Sequence, residues 1–182
     1  MKNTGLILSI LLLSLIAQAQ PAAGNFKEYI LWNDTLKLAW KDFKAVAVPN
    51  ASEAAMTASS MEFSYNTKNT QLFWQVKVKF FPALSWFDKK RQSDYILKHE
   101  QLHFNITELY ARLLRKQLSE NVSSASDIQK LRKINKSILQ DWQKEQNRYD
   151  AETNHSINEV KQAEWNLNIQ KRLDSLRVFA SK

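Results

Sequence analysis

From Ser93 to the C-terminus the chain contains neither glycine nor proline. The two residues that most readily break a helix are thus missing from its whole second half, and the polarity pattern there is helical. Ile96, Leu97, Leu102, Ile106, Leu109, Tyr110, Leu113 and Leu114 recur at three- and four-residue spacing, which predicts a buried amphipathic helix over 93–119 with Ser93 and Asp94 available to cap it. Residues 121–126 are polar and turn-forming. A second helix opens at Ser126-Asp127, carries Ile128, Leu131, Ile134, Ile138, Leu139 and Trp142 on its apolar face, and runs to about Arg148. A third begins near His155 and uses Ile157, Val160, Leu167, Ile169, Leu173 and Leu176.

Before Pro82 the period changes to two. Leu72, Trp74, Val76, Val78 and Phe80 alternate with Gln71, Gln75, Lys77 and Lys79, the pattern of a half-buried strand. The turn Asn66-Thr-Lys-Asn69 makes 61–65 its hairpin partner. A further strand is expected at Leu36–Trp40, and Ala51–Ala58 reads as a short helix or a loop. The fold class is therefore α+β, a small antiparallel sheet followed by three long helices. A length of 182 residues fits one domain, over 29–182, after a polar, loose segment at 20–28.

Composition narrows the chemistry. The two glycines are Gly5 and Gly24, so a glycine-rich phosphate loop is excluded from the folded part. Cysteine is absent, which removes disulfides, thiolate metal sites and cysteine nucleophiles. Any metal must sit on carboxylates and on the three histidines, His99, His103 and His155. The net charge of +8 would suit nucleic acid, but the N-terminus argues for export. Lys2 precedes an apolar run from Gly5 to Ile16, too short to span a bilayer comfortably, and then the small-x-small signal Ala17-Gln18-Ala19. Residues 1–19 read as a signal peptide, the alternative being an uncleaved anchor. The expected location is periplasmic or secreted, with no nucleic-acid partner and no stable membrane insertion after cleavage.

The first helix contains His99-Glu100-Gln101-Leu102-His103, the HExxH pattern. Histidines four apart share a helical face and can converge on one zinc ion, while Glu100 points at a water bound to it. An ion with three protein ligands lowers that water's pKa to about 7, and a neighbouring carboxylate can take its proton as it attacks a carbonyl. The third ligand comes from helical arithmetic. The first helix extends about fifteen residues (roughly 23 Å) past His103, and the second returns over about twenty-two (roughly 33 Å). An antiparallel hairpin thus brings 149–155 level with the motif. His155 is the leading candidate there, against a mere capping role; Asp150, Glu152 and Glu159 compete with it. Glu108 is about 140° round the helix from His103 and reads as a supporting or core-facing acid. Tyr149, beside the third ligand, is a candidate hydrogen-bond donor to an oxyanion, against a simple core-packing role. The strand 71–81 is either an edge against which an extended peptide pairs or an interior strand.

These residues resemble a bacterial family, domain of unknown function 922, whose members are labelled secreted zinc-dependent proteases. The resemblance runs from about Leu36 to Leu176. It is carried by Trp40-Lys-Asp-Phe43, Phe81-Pro-Ala-Leu-Ser-Trp86, Lys98-His-Glu-Gln-Leu-His-Phe104 with Glu108-Leu-Tyr-Ala-Arg112, Tyr149-Asp-Ala-Glu-Thr-Asn-His155 and Gln162-Ala-Glu-Trp165. It implies a zincin-like active-site helix, zinc on His99, His103 and His155, and Glu100 as general base. The family usually has glycine where Leu102 and Ser156 stand. The expected function is an exported zinc metallopeptidase acting on peptide or protein substrates in the cell envelope. The rival is a non-catalytic envelope binding protein of the same fold. Oligomeric state is not encoded in these patterns.

Overall fold

The computed structural model describes residues 4–11 and 28–181. Its centre is the expected hairpin, strand β4 (Ser59–Lys68) paired antiparallel with β5 (Gln71–Phe80). The turn between them is tighter than the expected four-residue stretch. Asn69 takes φ 56°, a left-handed conformation that a short side-chain amide tolerates where glycine is lacking. The outer edge of β4 pairs antiparallel with β1 (Thr4–Leu11), and the far end of β5 pairs with β2 (Ile30–Leu31), giving the order β1-β4-β5-β2. A separate two-stranded ladder joins β3 (Ala55–Met56) to β6 (Trp86–Phe87). Strand β1 falls inside the stretch read as a signal peptide; the cleavage signal at 17–19 and most of the 20–28 segment lie outside the described residues.

The strand expected at Leu36–Trp40 does not form. The Leu38 amide donates to Gln101 Oε1 (2.7 Å) and the Ala39 amide to Asp42 Oδ2 (2.8 Å), so side chains take the donors that a strand would give to a neighbour. A short 3-10 turn over Trp40–Asp42 stands in its place.

Helix α1 (Asp94–Asn121) starts where expected, its first turn capped by the Ser93 hydroxyl accepting from the Ile96 amide at 3.2 Å. It crosses one face of the sheet, with Phe104, Ile106, Leu109, Leu114 and Leu118 fully buried in the same core as Met61, Phe63, Val76, Val78 and Phe80. Glu108 faces this core, with 0 % of its surface exposed, between Arg112 Nε and Arg115 Nη1, each at 3.0 Å. The same arginines donate to the carbonyls of Leu173 (2.7 Å) and Phe179 (3.0 Å), so this buried charge cluster fastens the C-terminal segment to α1.

Helix α2 (Ile128–Thr153) runs five residues beyond Arg148, the end that its apolar periodicity predicts. It stops at Asn154, in the left-handed conformation typical of a helix C-terminus. Helix α3 (Glu159–Ser175) begins later than expected, capped by Asn158 accepting from the Lys161 amide at 3.1 Å. Its inward face is Gln162, Trp165, Ile169 and Leu173, whereas Ile157, Val160 and Leu167 are exposed. The apolar positions split between two faces, and the bulk of Trp165 decides which one is buried. Among the described residues no helix is long and apolar enough to cross a membrane.

Candidate metal centre

Helix α1 presents His99 and His103 one turn apart, and their Nε2 atoms lie 3.2 Å from each other. The later end of α2 places Asp150 on the helical turn that faces them. Its Oδ1 is 3.0 Å from His103 Nε2 and 3.3 Å from His99 Nε2. These three side chains form the group that can hold a metal ion, its ligand atoms within 4.8 Å of one another. His99 and His103 are buried and Asp150 nearly so.

Two glutamines decide which ring nitrogens face the centre. His99 Nδ1 lies 2.8 Å from Gln162 Oε1, and His103 Nδ1 lies 2.7 Å from Gln146 Oε1. The Gln146 amide nitrogen donates to the His103 carbonyl (3.0 Å) and to Thr107 Oγ1 (3.2 Å), which leaves its oxygen for the imidazole. Gln162 Oε1 also accepts from the Tyr149 hydroxyl at 2.7 Å. A carbonyl oxygen only accepts, so each imidazole donates from Nδ1 and turns an Nε2 lone pair inward. Two lone pairs and a carboxylate oxygen crowded together require a cation or a proton between them. Two imidazole nitrogens and one carboxylate oxygen, with no sulfur, suit a small divalent ion of the zinc type.

Electrostatics without an ion point the same way. Burial opposes charge on His103, but the Asp150 carboxylate and its hydrogen bond outweigh it and raise the imidazole to about 9. Burial likewise opposes charge on Asp150, and the two histidines overcome it, holding the carboxyl well below the usual carboxylate range. A raised histidine stabilises the metal-free fold below its unfolded value of about 6.5, and that contribution is lost as pH climbs through about 9. Metal must displace the same proton. Its affinity is therefore expected to rise by up to about tenfold per pH unit between about pH 6 and 9 and then level off, as competition titration with a chromophoric chelator will show.

Glu100 sits beside the group and is buried, with Oε2 lacking a hydrogen-bond partner. The cavity onto which it opens holds about 530 Å³ and is lined by His99, Glu100 and His103 below, by Asn147, Asp150 and Ala151 of α2, by His155 and Ser156, and by 52–57 opposite. That last wall is held firmly. The Arg91 guanidinium reaches the carbonyls of Ala51 and Ser52 at 2.9 Å each and of Glu53 at 2.5 Å, and pairs with Asp88 at 3.0 Å. Thr57 Oγ1 donates to the Glu100 carbonyl at 3.2 Å, tying the wall to α1.

Residues 82–156 match the family model of DUF922, a bacterial protein of unknown function. This is the family that the motifs resemble, over a shorter stretch than 36–176. The DUF922 segment contains the motif helix, Tyr149, Asp150 and His155, and it leaves Gln162 outside. No curated protein and no solved structure matches the chain.

Within the DUF922 segment the structure sorts the expected site residues. His99, Glu100 and His103 meet at the cavity floor. His155 is half-exposed on the rim, its Nδ1 3.9 Å from Asp150 Oδ1, outside the group of three. It belongs to a run of left-handed residues, Asn154, His155 and Ser156, with φ of 47°, 50° and 74°. Tyr149 lies behind the histidines. It is fully buried and stacks on the His99 ring with centroids 4.5 Å apart, and burial pushes its hydroxyl well above the usual phenol range. It contacts Gln162 and His99 from behind and is not among the residues that line the cavity. Glu152 instead accepts from the Trp165 indole at 2.9 Å, and Glu159 is exposed in the first turn of α3. Strand β5 lines no part of the cavity; the strand that does is β3.

Proposed function

We propose that this chain is an exported metallopeptidase that hydrolyses peptide bonds, with zinc as the ion of the His99, His103 and Asp150 group. The observation that carries the reading is the pairing of that convergent donor set with the unpartnered Glu100 Oε2 at the floor of one cavity. Zinc, when bound, supplies Lewis acidity that acidifies a water and polarises the scissile carbonyl.

The protein's own residues do the rest. Glu100 Oε2 accepts the proton of the attacking water and returns it to the leaving amine. Gln146 and Gln162 fix the imidazole orientation, and Tyr149 holds Gln162. The β3 wall can hold the substrate in extended form. The Ala54 carbonyl accepts from the Asp88 amide at 2.8 Å and the Ala58 carbonyl from the Phe81 amide at 2.9 Å, so by antiparallel alternation the backbone groups of Ala55 and Thr57 point to the opposite edge. Export rests on the apolar run ending in Ala17-Gln18-Ala19.

A buried carboxylate oxygen without a partner costs about 1–3 kcal/mol, a burden that a non-catalytic binding protein has no reason to carry. The deciding experiment is digestion of an unfolded protein by the purified chain. Cleavage is expected to stop on adding a chelator and to return with zinc, while circular dichroism reports an unchanged fold. Cleavage that persists through chelation overturns the reading, and so does a zinc-loaded protein that binds the substrate and leaves it intact.

A further inference from the structure

A second groove lies along α2. It is lined by Arg132, Asn135, Lys136, Leu139, Gln143 and Lys144 among others, and Gln143 also lines the first cavity, so the two spaces adjoin at that residue. The described lining contains three cations and no acid. Asn135 is only 3 % exposed, and its Oδ1 has no hydrogen-bond partner, an acceptor buried at the groove without a donor.

The neighbouring strand supplies the second half of the site. Strand β6 pairs with β3 and β5 with β4, and only residues 57 and 58 separate β3 from β4, so the cavity wall at 54–57 leads along the chain onto β4. Helix α2 accompanies that strand. Arg132 donates to the Tyr65 hydroxyl of β4 at 2.7 Å, and eleven residues later Gln143 stands at the cavity. That the outer edge of β4 accepts an extended segment is visible directly, because Thr4–Leu11 lies on it in antiparallel register from Asn66 to Ser59. In the exported form, which the peptidase reading calls for, this strand leaves with the signal peptide and the edge is open.

We propose that β4 and the basic face of α2 together form an extended substrate subsite, which takes a polypeptide strand bearing acidic side chains and leads it into the catalytic cavity. Main-chain pairing to β4 supplies sequence-independent affinity. Lys136, Lys144 and Arg132 select carboxylates, and a donor on the bound segment satisfies Asn135 Oδ1. The inference rests on the peptidase reading for its direction into the cavity, and it can be tested apart from it.

The test uses the processed protein carrying Glu100→Gln, so that nothing is cleaved, and three fluorescent extended peptides that differ only in Glu, Gln or Lys at alternate positions. The Glu peptide is expected to bind roughly tenfold tighter than the Gln peptide, and the Lys peptide weaker than both. The preference is expected to shrink with added salt and to vanish in a Lys136→Glu, Lys144→Glu double variant whose zinc content and thermal melt match the parent. Equal binding of the Glu and Gln peptides overturns the proposal, as does a preference that survives the double substitution. A concentration-dependent dimer that the same double substitution dissolves also overturns it, since the groove then serves a second copy. If the Glu peptide binds as expected and the wild-type chain cleaves none of the three, the subsite stands and the peptidase reading falls.

Discussion

Asp150→Asn is expected to lose zinc far more severely than His155→Ala. The asparagine keeps the shape of the side chain but removes the charge that lies 3.0 Å from His103 and 3.3 Å from His99. His155, half-exposed and 3.9 Å from the same carboxylate, is the residue whose loss the centre can absorb. Loss of a residue that merely supports a ligand costs about 10–100-fold in metal affinity, so His155→Ala should fall within that range and Asp150→Asn beyond it. Competition titration of both variants beside the parent measures the difference. The reverse order, or equal losses, would move the third ligand from α2 to the loop that follows it. Asp150→Asn should also bring the His103 imidazole back down from about 9, because its carboxylate partner is what holds the proton there.

Glu100→Gln is expected to keep its zinc and lose about 10²–10⁴-fold in peptide turnover, the usual range for a positioned proton-transfer group. Glutamine has the shape of glutamate and cannot take up a proton at the water. The side chain is not among the three that converge as ligands, and the loss should therefore appear in kcat with metal content unchanged. Metal analysis and steady-state kinetics on the same preparation separate the two roles. A variant with undiminished turnover would remove Glu100 from the chemistry.

Much of this centre was legible in the residues because two periodicities coincide. The three- and four-residue spacing that buries α1 also carries His99, Glu100 and His103, so the motif and its helix are read together. Helical arithmetic likewise brought 149–155 to the right level. What it missed was local. The apolar face of α2 ends at Trp142, and beyond it the inward positions are Glu145, Gln146 and Tyr149. Polar residues there suggest solvent, yet Gln146 and Tyr149 back the two histidines, and Glu145 pairs with Arg172 of α3. The continuing helix puts Gln146 and Asp150 four residues apart on one face and lifts His155 out into a left-handed turn. Asn154 was the available signal, an asparagine well suited to a helix C-terminus. Gln146 carried no signal of its own, because a glutamine inside a polar stretch is indistinguishable from a solvated one until the partner helix is in place. In the sheet, the alternation of 71–80 and the turn before it gave β5 and its hairpin partner β4, but not the outer strands β1 and β2. The wall of the cavity fell to 52–57, a segment too short to show any period.

The amides that support the two histidines carry a consequence for the charge of the buried centre. Many metal-binding imidazoles lean on a carboxylate, which adds a negative charge just outside the ligands. Here both supports are neutral. With a divalent ion in place, its two positive charges would meet one formal negative charge on Asp150 and one on Glu100, and the sum is zero. Such a centre can sit deep between α1, α2 and α3 without a counter-ion, and only the passing substrate disturbs its balance.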